Sequence, residues 1–194
     1  MGMVTADEFR LNWDKFLEKI RKGAVFVYPT DTIYGIGCNA LDESAVKQLR
    51  AVKKRKDNPF SVVVPSKKWV YDNCDVTAEA VKWVEKLPGP YTLVLKMSRE
   101  GVIPKEVNCG LGTLGVRIPK HWFSKVASDL NIPIISTSAN IAGEQPMTSI
   151  DDLDERIKVD FVVYEGEKKG QPSSIIDLTE KKERITKRQR LSRL

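Results

Sequence analysis

Apolar positions along the 194-residue chain keep two rhythms. The first is helical. Thr5-Ala-Asp-Glu8 has the form of a capping box, and Phe9, Trp13, Phe16 and Ile20 follow at helical spacing until Gly23 ends the run. A second helix is predicted over 42–54, opening on Asp42, and a third starts at Thr77 and is stopped by Leu87-Pro-Gly-Pro90. Residues 120–130 and a short stretch at 149–157 also carry the helical pattern. The second rhythm is that of strands, short apolar runs bounded by glycine, proline or polar clusters. They lie at 24–28, 60–64, 91–97, 113–118, 133–136, 160–164 and 174–178. Strands and helices alternate unevenly, with several direct strand-to-strand steps. The prediction is an α/β fold: a twisted mixed parallel/antiparallel sheet with flanking helices, in a single domain spanning 1–194.

Composition changes the picture little, and charge distribution changes it more. No run approaches the roughly 18–20 apolar residues that cross a bilayer. The first residues include acids and lack the apolar stretch of a secretory signal. Cys38, Cys74 and Cys109 are odd in number and far apart, and His121 is the sole histidine. Neither a disulfide framework nor a zinc-ligand spacing is present. The expectation is a cytoplasmic protein with no membrane contact and no metal held by its own side chains. The net charge of +6 is carried by one end: residues 181–194 hold seven cations against Glu183. The remaining chain is formally neutral. Such an end serves either as a solvated tail or as a contact for nucleic acid or phosphate.

Four stretches run from an apolar strand into hydroxyl, amide or basic residues: Thr30–Thr32, Lys53–Asn58, Thr113–Arg117 and Ser136–Asn140. Strand ends and their loops are where open α/β sheets bind ligands. Lys53, Lys54, Arg55 and Lys56 place four cations together. They read either as a solvated helix end or as a clamp for a triphosphate. Ser136, Thr137, Ser138 and Asn140 supply neutral donors and acceptors, for a turn or for phosphate and carboxylate oxygens. Arg117 interrupts an apolar strand, and a buried arginine needs an acid from the protein or from a substrate. The P-loop pattern and the G-x-S-x-G elbow are both absent. His121 alone is a weak basis for Ser/His/Asp catalysis, and Cys38 reads as a small buried thiol. The candidate sites position and neutralise charge and offer no evident covalent nucleophile.

In order along the chain stand Tyr28-Pro-Thr-Asp-Thr-Ile-Tyr-Gly-Ile-Gly37, the K-x-R of Lys53–Arg55 with Asn58-Pro59, and Pro88-Gly-Pro-Tyr-Thr-Leu-Val-Leu95. Gly115-Val-Arg-Ile-Pro119, Ser138-Ala-Asn140 with Pro146-x-Thr148, and Pro172-Ser-Ser-Ile-Ile-Asp-Leu-Thr179 follow. Each is weak singly; in register they resemble the YrdC family, the L-threonylcarbamoyladenylate synthases, from about residue 20 to 190.

The resemblance implies a YrdC-like fold around a concave, electropositive cavity, in a short form without the extra C-terminal domain of longer members. It implies synthesis of L-threonylcarbamoyl-AMP from L-threonine, bicarbonate and ATP, with Mg²⁺ accompanying ATP and pyrophosphate released. A transfer machinery then moves the threonylcarbamoyl group to the adenosine beside the tRNA anticodon. Carried over by position, Lys53 and Arg55 are the catalytic phosphate-holding pair. Asn58, Thr113, Ser138, Asn140 and Arg188 join them on the ATP side. Thr32, Arg117, Ser136 and Ser173 belong to the threonine side.

The chain departs from the family pattern in places. Lys56 stands where proline often follows K-x-R, and the segment to Asn58 is one residue short. Val63 replaces a frequent histidine, the serine of S-P-T is replaced around Pro146-Met-Thr148, the late S-T reads Ser173-Ser174, and the closing R-x-G reads Arg188-Gln-Arg190. Two rivals to the enzyme remain at this stage. One is a non-catalytic YrdC-like protein that binds nucleotide, tRNA or double-stranded RNA through salt-sensitive phosphate contacts. The other is a related carbamoyl-transferring module with a different acceptor.

Overall fold

The computed structural model describes residues 2–188. Its strands are β1 (Gly2–Thr5), β2 (Phe26–Tyr28), β3 (Gly35–Gly37), β4 (Ser61–Val63), β5 (Tyr91–Lys96), β6 (Thr113–Arg117), β7 (Ile134–Ser138), β8 (Phe161–Tyr164), β9 (Ser174–Asp177) and β10 (Arg184–Thr186). The helices are α1 (Ala6–Leu11), α2 (Trp13–Arg21), α3 (Glu43–Lys53), α4 (Lys67–Asn73), α5 (Ala78–Val84), α6 (Lys105–Asn108) and α7 (Ser124–Leu130). The strands form one sheet in the order β1-β8-β2-β3-β7-β4-β6-β5-β9-β10. β8 runs parallel to β1 and β2, β4 to β6, and β5 to β9; the other neighbours are antiparallel. The expected mixed α/β sheet is therefore what forms.

Alternation along the strands gives the sheet two unlike faces. Val27, Ile36, Val62, Leu93, Leu95, Leu114, Val116, Ile135, Val162 and Ile176 all enter one large core. Their neighbours Phe26, Tyr28, Val63, Ile134, Phe161 and Val163 point the other way, into a second core rich in aromatic rings. Phe26 stacks on Phe161 at 5.1 Å, and Tyr28 on Phe123 at 4.8 Å. That second core is centred on β8 and β2 and reaches β7 and β4 only at Ile134 and Val63. Toward β5 and β6 the same face carries small and polar residues, and this is where the cavity lies.

Several predicted elements change form. The helix expected over 5–20 divides at Asn12, whose φ/ψ of −112°/33° leaves the helical region and whose side chain donates to Glu8 O at 2.9 Å. The Thr5 capping box is present, as are the N-caps at Asp42 and Thr77. The helical pattern of 120–130 becomes a helix only from Ser124. The stretch 149–157 keeps a single 3₁₀ turn, Ile150–Asp152. β1, α4 and α6 were not expected, and β7 continues through the hydroxyl residues to Ser138 rather than ending at 136. Part of the basic end is strand: β10 pairs with β9, while the stretch 189–194, with the last two residues of the closing motif, lies outside the described residues. Among the described residues no helix is long and apolar enough to cross a membrane.

β3 shows why its glycines escape a strand reading. Glycine weakens strands by itself. Here Tyr28 of β2 pairs opposite Gly35 and lays its ring across both glycines, while its hydroxyl donates to Ile135 O at 3.0 Å. A Cβ on Gly37 would sit 2.1 Å from Ile135 O, inside the sheet itself. Gly37→Ala is therefore expected to cost about 4 kcal/mol or more and to lower the thermal midpoint by roughly 10 °C. Gly112→Ala, with no atom within 4 Å of its Cβ, should stay within about 0.5 kcal/mol of the parent. Equal midpoints for the two variants in a thermal melt would show that the Ile135 carbonyl gives way.

Candidate functional site

The polar half of the sheet face floors a cavity of about 510 Å³. Its floor follows from period-two alternation. On β6, Thr113, Gly115 and Arg117 face the cavity while Leu114 and Val116 face the large core. β4 gives Ser61, β5 gives Thr92, and β7 gives Ser136 and Ser138. A Cβ on Gly115 would lie 2.5 Å from Ser61 Oγ, so glycine there keeps the floor open.

The loop after β2 forms one rim. Thr30 Oγ1 donates to Ile33 O at 2.7 Å, accepts from Thr32 N at 3.1 Å, and lies 3.0 Å from Thr32 Oγ1. This local network turns the chain without a glycine and leaves Thr32 6% exposed on the cavity wall. Arg117, also 6% exposed, donates from Nη2 to Asp31 Oδ1 at 2.9 Å and to Thr32 Oγ1 at 3.4 Å. Asp31 Oδ2 accepts the Lys120 N–H at 2.9 Å. The sequence left open whether the protein or a substrate supplies the acid for Arg117. Asp31 supplies one from the protein, yet Arg117 Nε is buried with no hydrogen-bond partner. Opposite, Ser173 is 1% exposed and its Oγ lies 2.8 Å from Thr92 Oγ1. Arg188 donates to Ser173 Oγ at 2.7 Å and to Ser173 O at 2.9 Å.

The other end of the cavity is organised by the C-terminus of α3. Lys54 takes the left-handed conformation, with φ 50°, and ends the helix. The cations on either side of it part company. Lys53, 1% exposed, turns beneath β7 and donates to Ser138 O, Asn140 O and Asn140 Oδ1 at 2.5, 2.8 and 2.9 Å. Ser138 Oγ donates to the same Asn140 Oδ1 at 2.6 Å. Arg55 turns to the cavity, donating to Thr137 Oγ1 at 3.3 Å and Pro59 O at 2.8 Å. Its guanidinium pKa is lowered by burial and then by the charge of Arg50; that of Arg188 is lowered by burial and then by Arg117 and Arg55.

Of the residues singled out in the sequence, Thr32, Arg55, Thr113, Arg117, Ser136, Ser138, Ser173 and Arg188 line this one cavity. Lys53 and Asn140 sit behind its wall, and Asn58 lies on the exposed side of the 54–60 loop, offering its carbonyl to Arg50 and Arg55. Thr30 and Thr137, from two of the flagged stretches, line it too, whereas Ser61 and Thr92 were missed. Ser136 and Ser138 on β7 show the alternation that marks a polar face, but Ser61 and Thr92 are single hydroxyls in apolar strands and carry no such signal. His121 lies away from the cavity wall, 2.8 Å from Glu165 Oε1. Cys38 is buried in the large core, which raises its thiol pKa.

Three guanidiniums and a set of hydroxyls, with no carboxylate among the described lining residues, make a site for an anion. No group of three or more His, Cys, Asp or Glu among the described residues could hold a metal ion. A Mg²⁺ ion brought in with polyphosphate would meet hydroxyls rather than carboxylates among the described lining residues.

Residues 18–189 match the Sua5/YciO/YrdC family model, described as "Telomere recombination". The Pyrococcus abyssi "Threonylcarbamoyl-AMP synthase" is 37% identical over 172 residues, which are 83% of this chain and 49% of that protein. A Methanocaldococcus jannaschii relative, provisionally given the same name, is 37% identical over 175 residues, 87% of this chain and 81% of its own. The crystal structure of P. abyssi Sua5 complexed with L-threonine superposes with a TM-score of 0.83 at 34% identity, covering 95% of this chain and 56% of that one. The chain thus spans about half the length of the P. abyssi protein. With its family match running nearly end to end and its fold shared with P. abyssi Sua5, this chain belongs to the Sua5/YciO/YrdC family.

Proposed function

We propose that the cavity makes L-threonylcarbamoyl-AMP from L-threonine, bicarbonate and ATP. The observation that carries this reading is the Arg117 guanidinium, which lines a cavity of hydroxyls and commits only Nη2 to protein acceptors among the described residues. Nη1 makes no hydrogen bond to those residues, and an amino-acid carboxylate supplies the matching acceptor. Thr32, Ser136 and Ser173 surround that position with neutral hydrogen-bonding groups suited to a small polar substrate. That P. abyssi Sua5 was crystallised with L-threonine agrees with this assignment.

ATP then takes the Arg55 end, with Thr113 and Ser138 on the wall, and Arg188 faces it from beside Ser173. Threonine and bicarbonate condense to a carbamate with loss of water. A carbamate oxygen attacks the α-phosphorus, and the bond to pyrophosphate breaks. Alignment and charge neutralisation suffice for this step, which needs no protein nucleophile. Arg55 and Arg188 neutralise the leaving pyrophosphate, and Mg²⁺ bound with ATP would share that charge. Lys53 serves from behind the wall: its ammonium fixes the Ser138–Asn140 turn that presents the phosphate-side hydroxyl. The product is a labile mixed anhydride, so a transfer machinery that delivers it to tRNA adenosine is its fitting consumer.

Purified protein with ATP, Mg²⁺, bicarbonate and L-threonine is expected to release pyrophosphate and an AMP-linked product that requires both threonine and bicarbonate. Thr32→Val should lower kcat/KM for threonine by about 10-fold and Arg117→Lys by about 100-fold, the scale of one and of several charge-assisted contacts. Affinity for ATP should hold within about 3-fold in both. Unchanged threonine affinity in Thr32→Val would remove that wall from the substrate site. No product, with ATP still bound and RNA bound in a salt-dependent way, would replace the enzyme with a binding protein.

Burial, and then the charge of Arg55, bring the Lys53 pKa down from 10.5 to about 7. The folded protein thus holds this proton less tightly than the unfolded chain. Lys53 costs stability below pH 7, and that cost disappears as pH rises from about 7 toward 10.5. Chemical denaturation of the wild type should therefore show stability rising with pH over that window more steeply than in Lys53→Met. Parallel pH profiles would rule out titration of Lys53 in that range.

A further inference from the structure

Arg50 lies on the last turn of α3, outside the cavity wall, and none of the sequence motifs includes it. Its guanidinium is enclosed by backbone oxygens from two segments. Nη1 donates to Arg55 O, Lys56 O and Asn58 O, each at 3.2 Å. Nε donates to Glu106 O at 2.6 Å, and Nη2 to Val107 O at 3.4 Å and Cys109 Sγ at 3.2 Å. The same guanidinium lies 4.5 Å from the Phe60 ring, and Arg55 lies 5.2 Å from that ring.

The Nη1 contacts fall on the irregular loop 54–60, which has neither a helix nor a strand to fix it, and the Nε and Nη2 contacts fall on 106–109. Between Lys54 and Asn58 the loop has no proline to stiffen it. Arg50 and Arg55 share an acceptor, since Arg55 Nε also donates to Asn58 O, at 3.3 Å. Fixing that carbonyl fixes one end of Arg55. The fork matters as well as the charge: an ammonium has three donors on one atom and cannot span carbonyls on two sides.

We propose that Arg50 is a positioning residue for the phosphate side of the cavity: the 55–59 backbone wraps its guanidinium, and that wrapping aims Arg55 at the nucleotide. The inference rests on the nucleotide reading above. The loop is thus held from the helix rather than by its own residues.

The test uses the 194-residue chain with ATP, inorganic triphosphate and L-threonine as calorimetric probes, in Arg50→Lys, Arg50→Met, Arg55→Ala and the Arg50→Lys/Arg55→Ala pair. Both Arg50 variants are expected to weaken ATP and triphosphate binding about 10-fold, with Lys giving no rescue, and to leave threonine affinity within about 2-fold. In the Arg55→Ala background, Arg50→Lys should have almost no further effect on ATP, because one residue acts through the other. Trypsin should cut native Arg50→Lys at 54–56 faster than the wild type; faster cutting with unchanged ATP affinity would overturn the role of the loop in aiming Arg55. Full rescue by Lys, equal loss for ATP and threonine, or additive losses in the pair would overturn the proposal. Wild-type protein that binds neither ATP nor triphosphate would overturn the nucleotide reading and this inference with it; wild type that binds ATP, matched by Arg50→Lys, would overturn the inference alone.

Discussion

A guanidinium on an inner strand of a sheet has to be neutralised and hydrogen-bonded, or the strand will not stay buried. Arg117 imposes that constraint. Asp31 answers its charge across the gap between β6 and the loop after β2, and the Lys120 N–H holds the second carboxylate oxygen. The pair thereby ties the rim of the cavity to its floor. Thr30 then folds the loop on itself so that Asp31 faces Arg117 while Thr32 faces the open space. Of its other nitrogens, Nε is buried with no partner and Nη1 makes no hydrogen bond to the described residues. Pairing them with a second protein acid would occupy the donors that the proposed carboxylate ligand needs.

The same constraint explains the division of the sheet. One face is apolar along its length. The other is aromatic only where β2 and β8 cover α1, α2 and α7, and polar where it meets the cavity. Tyr28 stands at the border. Its ring packs in the aromatic core, and its breadth is accommodated by two glycines of β3, so the aromatic packing and the glycine pair are one feature. Loop 165–173 closes the far side. Burial alone would raise the Glu165 pKa, but hydrogen bonds from His121, Lys168 and Trp122 outweigh it and bring it to about 2. A carboxylate so held anchors the start of that loop, while further along it Gly170 packs so closely on Thr32 O that a Cβ there would lie 2.1 Å away.

Much of this was legible in the residues. Caps at Thr5, Asp42 and Thr77 mark helix starts because they satisfy backbone donors locally. Apolar runs such as 91–97 and 113–118 mark strands because their partners need no special geometry. What escaped reading depends on distant partners. β3 has a glycine sequence that makes sense only under the Tyr28 ring, and β1 exists because β8 offers it an edge. Asn12 breaks a helical period that the apolar positions alone carry straight through. In the site, Arg117 stood out because charge in an apolar strand is anomalous. Ser61 and Thr92 did not, because a single hydroxyl in a strand is ordinary until the sheet shows which face it shares.

The cluster at 53–56 teaches the sharpest lesson. Four consecutive cations look interchangeable in the sequence. One left-handed residue, Lys54, separates two of them into different tasks. Lys53 becomes a buried bracket whose protons all go to protein oxygens, and Arg55 becomes a free edge in the cavity. Lysine suits the first task, since a compact ammonium can gather three converging acceptors. Arginine suits the second, since it can hold Thr137 and Pro59 and still present the rest of its fork. Exchanging the two would keep the charge and composition of the segment and destroy both functions. Positive charge in this cavity therefore acts as geometry first and as potential second, because an ammonium that is fully engaged with carbonyls attracts a phosphate only at a distance.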